Sequence, residues 1–117
     1  MTSPRSSAPE LDLARIRRYV DARVPSRVAA QLRMEVVVRG TAVTIVECRP
    51  PWRADLGPEW SRVPIAQLRY DPTRAAWTLY WRDRNRRWHQ YDRFASVSHV
   101  DPLLAEIDAD PTTIFWG

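Results

Sequence analysis

The sequence predicts an α+β domain: an N-terminal helix or helix pair, an antiparallel sheet of about five strands, and a short C-terminal helix. Three observations predict it. Three runs with period-two alternation, Val63–Tyr70, Trp77–Arg82 and Trp88–Asp92, are separated by turn-rich joints. A valine-rich pair of runs meets at Gly40. Apolar residues at helical spacing occur near both ends of the chain.

Residues 1–9 are Ser/Pro-rich and read as a disordered tail before a single domain over 10–117. Asp12 is placed to cap a helix running to about Arg23, with Ile16, Tyr19 and Val20 as its apolar stripe. Pro25 interrupts, or opens a second short helix capped by Ser26 with Val28, Ala29 and Leu32 facing inward. Arg33–Arg39 and Ala42–Glu47 form a hairpin with Gly40-Thr41 at its turn. Val36 and Val38 then face Ile45 and Val43. Glu35, Val37, Arg39, Thr44 and Val46 occupy the other side, where Val37 and Val46 suggest partial cover by the N-terminal helices. Arg49-Pro50-Pro51-Trp52 ends the ladder, because proline removes donors and forces an extended path. Residues 53–62 are a surface connection.

The three-stranded meander follows. Facing Tyr70 with Trp77 sets Leu68 opposite Leu79 and Ala66 opposite Trp81. Taking Asn85-Arg86 as a two-residue turn sets Asp83 opposite Trp88 and Trp81 opposite Gln90. Trp77, Leu79, Trp81 and Trp88 then share the core face, with Tyr80, Arg82, His89 and Tyr91 behind them. A loop longer by one residue exchanges the faces of the last strand. Asp101-Pro102 starts a final helix carrying Leu103, Leu104 and Ile107; Asp110-Pro111 stops it, and Ile114-Phe115-Trp116 docks.

Composition narrows the function classes. The chain has 117 residues, 44% apolar and 27% charged, which suits one globular domain with a modest core. A net charge of +4 does not by itself imply nucleic acid. All 18 basic residues are Arg, so chemistry that needs a neutral lysine or an imine is excluded. Cys48 is the sole cysteine, so no internal disulfide forms, and a cytoplasmic setting is expected. No segment is long and apolar enough to span a bilayer. Three glycines leave no phosphate-cradling loop, and one Cys with two His lacks metal-ligand spacing; neither cofactor nor metal is expected.

The candidate contact residues are Tyr80, Arg82, Arg84, Arg86, Arg87, His89 and Tyr91 on the last hairpin, with Trp52 and Arg53 in the proline-rich loop. Exposed arginines beside aromatics can hold phosphates and stack bases, or anchor a protein interface. The competing reading is that Asp83, Asp92, Asp71 and Glu47 neutralise these arginines on an ordinary solvated face.

Several stretches resemble a bacterial family catalogued as domain of unknown function 3024. They are Val24-Pro25, Val38-Arg39-Gly40, Arg49 to Trp52, Arg69-Tyr70-Asp71, Trp77 to Asn85, Arg87-Trp88, Asp108 to Pro111 and Ile114 to Gly117. The resemblance runs from about Leu11 to the end and is most specific in Trp77–Asn85 and Asp108–Gly117. Where that family tends to carry Asn-Gly at the hairpin tip, this chain has Asn85-Arg86. The resemblance implies a small soluble bacterial protein and supplies no activity or cofactor.

The favoured function is a non-enzymatic binding or protein-interaction module that uses the Arg/aromatic face spanning residues 82–93. Nucleic-acid binding stays open as an alternative. So does a divalent-metal nuclease built on Glu35 and Glu47, taken as sharing one face, with Arg49 nearby to stabilise charge.

Overall fold

The computed structural model describes residues 8–25, 27 and 31–117. Helix α1 (Glu10–Ala22) precedes strands β1 (Arg33–Arg39), β2 (Ala42–Arg49), β3 (Ser61–Asp71), β4 (Ala76–Arg82) and β5 (Trp88–Gln90), and helix α2 (Asp101–Ala109) follows. A single 3-10 turn, Ala54–Leu56, lies between β2 and β3. The strands form one antiparallel sheet in chain order. Most of the expected tail lies outside the described residues, as do Ser26, Val28 and Ala29 of the expected second helix. Ala8 and Pro9, placed in the tail, are instead built in: Ala8 is buried in the core and the Pro9 carbonyl accepts from Leu13 N at 3.0 Å.

Both helices pack on one face of the sheet. Ile16 and Val20 of α1 and Leu103, Leu104 and Ile107 of α2 join Val43, Ile45, Leu68, Trp77 and Leu79 in one cluster. The expected cover of Val37 and Val46 by N-terminal helices is therefore corrected. Val46 faces away from Ile45, and α1 buries its stripe on the Ile45 side, where apolar area is larger. Val46 and Cys48 are buried outside that cluster. They sit in β2 between Glu35 of β1 and Arg62 of β3, whose ion pair crosses the strand.

The first two turn readings hold. Val36 pairs with Ile45, Val38 with Val43, Tyr70 with Trp77 and Leu68 with Leu79. A bulge between Ile45 and Val46 leaves Ile65 as the extra residue opposite them. It accommodates Pro64, a residue without a ladder donor in a central strand, ahead of the stretch of β3 that pairs with β4.

The last hairpin is corrected by one residue. Trp81 pairs with His89 and Arg82 with Trp88. Asp83 N donates to the Arg87 carbonyl at 2.9 Å, and Arg86 N to the Asp83 carbonyl at 3.0 Å. The loop is thus Arg84-Asn85-Arg86, a turn closed by Arg86 in the left-handed region at φ 67°. The Asp83 carboxylate decides it, accepting from Asn85 N at 2.8 Å and Arg87 N at 3.0 Å. His89 and Tyr91 move to the helix-covered face, and Trp88 moves to the open one.

Asp12 and Asp101 are corrected as caps. Pro9 caps α1, and Asp12 lies inside its first turn with a buried carboxylate. That carboxylate accepts from the Trp77 indole at 3.0 Å and from Val100 N at 3.3 Å. Val100 caps α2, so one aspartate ties α1 to β4 and to the start of α2. Arg15 lies 3.6 Å from Asp12 and 3.6 Å from Asp101. At the other end of α2, Asp110 adopts φ 44° and accepts from Phe115 N (3.0 Å), Trp116 N (2.7 Å) and Gly117 N (3.3 Å). The tail docks as expected, with Phe115 buried against Tyr91.

Asp12→Ala removes the acceptor of two donors at a buried site and should cost about 3 kcal/mol. Urea denaturation measures this, and a loss under about 1 kcal/mol would show that the tie is dispensable. Asp12→Asn keeps one acceptor oxygen and should lose less. Arg86→Gly relieves a left-handed side chain and should raise stability by about 0.5–1 kcal/mol in the same assay; a decrease would place the strain elsewhere.

Candidate functional site

With both helices on one side, the other sheet face is bare of helix among the described residues. Its side chains follow from the register. One row runs Val37, Thr44, Gln67, Tyr80, Gln90 across all five strands. The next runs Arg39, Ala42, Arg69, Thr78. Gln67 donates to Thr44 Oγ1 at 3.0 Å and accepts from Arg69 Nε at 2.7 Å. The Arg69 guanidinium then lies 3.8 Å over the Tyr80 ring. Arg82 faces Trp88 at 5.9 Å, and its buried Nε has no hydrogen-bond partner among the described residues.

Three of the four acids proposed to neutralise this surface are engaged elsewhere; the fourth, Asp92, is exposed and makes no ion pair among the described residues. Asp83 holds two loop amides and His89 Nε2 at 2.6 Å, and the Arg87 amide first, then His89, keep its carboxyl below the usual range. Asp71 accepts from Thr73 N and Arg74 N at 3.0 and 3.4 Å. Glu47 takes Arg49 Nε at 3.1 Å. Among the described residues, no ion pair reaches Arg69, Arg82, Arg84, Arg86 or Arg87.

The expected contact residues divide. Tyr80 and Arg82 are on the open face, and Arg84, Arg86 and Arg87 are exposed at the tip. His89 lies on the reverse side, stacked on Trp81 with centroids 4.7 Å apart and its ring held by Asp83. Tyr91 is buried, donates to Glu106 Oε2 at 2.5 Å and leaves the contact set; burial, then Glu106, pushes its phenol up. Trp52 is 80% exposed, with Arg53 at 5.1 Å over its ring and bonded to Asp55. That loop shares an end of the sheet with the Arg84 tip, but no ring contact or hydrogen bond joins them among the described residues. Trp60 is half-buried under Arg33 at 3.9 Å. Arg69, Thr78 and Trp88 of the open face were absent from the expected set.

A family model described as domain of unknown function (DUF3024) matches residues 4–117. The chain belongs to the DUF3024 family. No curated protein and no solved structure matches it.

Two further places in this DUF3024 chain bear on function. Glu35 and Glu47 do not share a face. Glu35 pairs with Val46 and Glu47 with Met34, so alternation sends them to opposite sides, each bound to its own arginine. The nuclease arrangement is corrected on that ground. Among the described residues no group of three His, Cys, Asp or Glu side chains could hold a metal ion. Burial, then Glu35, pushes the Cys48 thiol up, away from the nucleophilic thiolate. A larger groove of about 860 Å³ lies between α1 and α2. Two of its three arginines are answered locally: Arg23 meets Asp108 at 3.2 Å and Arg15 meets Asp101, while Arg18 has no ion pair among the described residues. Tyr19 donates to Asp108 at 3.2 Å, with its phenol pushed up to about 12, first by burial. The open sheet face, where Arg69, Arg82, Arg84, Arg86 and Arg87 have no ion pair among the described residues, is the stronger candidate. Among the described residues no helix is long and apolar enough to cross a membrane.

Because its folded carboxyl lies below the ordinary 3.8, Asp83 supports the tip fully above that value and loses this as pH falls through the depressed one. The amide resonances of Asn85 and Arg87 should move together as pH drops below about 4. An NMR titration checks this, and amides that stay still would remove Asp83 from the loop.

Proposed function

We propose that this chain is a non-enzymatic binding module whose contact surface is the open sheet face at Tyr80, Arg82 and Trp88, continued onto Arg84, Arg86 and Arg87. One observation carries the reading: Asp71, Asp83 and Glu47 turn to backbone amides, to His89 or to Arg49, and these arginines have no ion pair, to Asp92 or any other acid, among the described residues. Desolvating an arginine that already has a carboxylate partner gains little, whereas an unpaired one gains a full charge-assisted contact from an incoming acid. Aromatic rings beside such arginines supply apolar area at small entropic cost. The partner this surface suits is a macromolecule presenting acidic groups.

Immobilised protein incubated with cell extract tests the reading. Wild type should retain a species that the double variant Arg84→Glu/Arg87→Glu releases, while Arg17→Glu, on the exposed side of α1, keeps it. Equal retention by the tip variant, or nothing retained by wild type, would overturn it.

A further inference from the structure

The open face also contains a hollow of about 230 Å³, lined by Arg69, Arg74, Thr78, Tyr80, Gln90 and Ser96. Thr78 Oγ1 and Ser96 Oγ stand 2.7 Å apart. Two hydroxyls carry two hydrogens and use one between them, so one remains to donate outward. Arg69 spends its Nε on Gln67 and lies 3.8 Å over the Tyr80 ring, and its terminal nitrogens have no side-chain acceptor among the described residues. Arg74 is exposed, and no ion pair reaches its side chain among the described residues. Asp71 also lines the hollow; its Oδ1 is turned to the amides of Thr73 and Arg74, and its one negative charge is outnumbered there by Arg69 and Arg74. The hollow thus offers donors from two arginines and a hydroxyl pair, a set that suits a phosphate.

The hollow begins a track. From Arg74 it follows β4 past Tyr80 and Arg82, with Trp88 beside Arg82, to Arg84, Arg86 and Arg87 at the tip. Seven residues of β4 at about 3.4 Å each make this roughly 20 Å long, with positive charge at both ends and aromatic rings between. Isolated small anions need one site; a run of sites with interposed rings fits a chain of phosphates carrying bases. A flat sheet offers its rings only to bases freed from pairing.

We infer that the partner is a single-stranded nucleic acid, with one phosphate in the Arg69/Arg74/Thr78 hollow and a base stacked on Trp88. This rests on the open-face reading above and names its ligand class. The probes are fluorescein-labelled oligo-dT and oligo-U of about 15 nucleotides and a duplex of equal length, titrated by polarisation at rising salt. Single strands should bind at low salt and more tightly than the duplex. Arg69→Gln and Arg74→Ala should each flatten the slope of log K against log salt by about 0.7, and Trp88→Ala should weaken binding about tenfold. Arg17→Ala should change neither. Arg74 is on an exposed loop, so its variant keeps the test sound even if Trp88→Ala lowers stability. Duplex binding as tight as single-strand binding, or an equal loss with Arg17→Ala, would overturn the inference. If no oligonucleotide binds while a nuclease-resistant species is retained through the tip arginines, the nucleic-acid inference falls and the binding module stands. If nothing binds in either experiment, both fall.

Discussion

The buried carboxylate of Asp12 is the tie on which the arrangement depends. It satisfies the indole of Trp77 at the centre of the sheet and the amide of Val100 at the start of α2. A buried carboxylate is tolerated only where donors meet it, and these two come from β4 and from the start of α2, so that one α1 residue joins three elements. The two helices are thereby fixed on one face of β4. The opposite face is left without helical cover among the described residues, and that geometric consequence creates the candidate site. Asp110 acts similarly at the other end of α2, folding the last residues back so that Phe115 reaches Tyr91.

The use of acids explains the charge of the open face better than the net charge does. Asp12, Asp71, Asp83 and Asp110 all turn carboxylate oxygens to backbone amides, where short side chains reach best. Arginines cannot accept such bonds and are left on the surface. A chain of modest net charge can therefore hold a concentrated positive track, since Asp71 and Asp83, the acids nearest to it, turn carboxylate oxygens to loop amides.

Much of the fold was legible because it rests on local rules. Alternation identified the strands, Gly40 set one register, and the apolar match of Leu68 with Leu79 set another. Arg69 and Thr78 were also within reach, for the register that pairs Tyr70 with Trp77 places them side by side. Their place in the site rests on Arg69 lying over Tyr80 and on Thr78 meeting Ser96, contacts that no run of charge signals. The last hairpin was not legible to the residue. Its length depends on Asp83 gathering two amides and on Arg86 accepting a left-handed backbone, a choice that propensity disfavours. One residue of loop exchanged Trp88 with His89 and buried Tyr91.

By itself, the sequence determined the element order, the antiparallel meander and the two apolar helix stripes, because periodicity is written residue by residue. Tertiary structure decided which sheet face the helices cover, what Asp12 does, and which arginines have an ion pair among the described residues. Each of these depends on where distant groups meet: Asp12 and Trp77 are 65 residues apart, and Asp12 and Val100 are 88 apart. No local pattern encodes which donor a buried carboxylate will find.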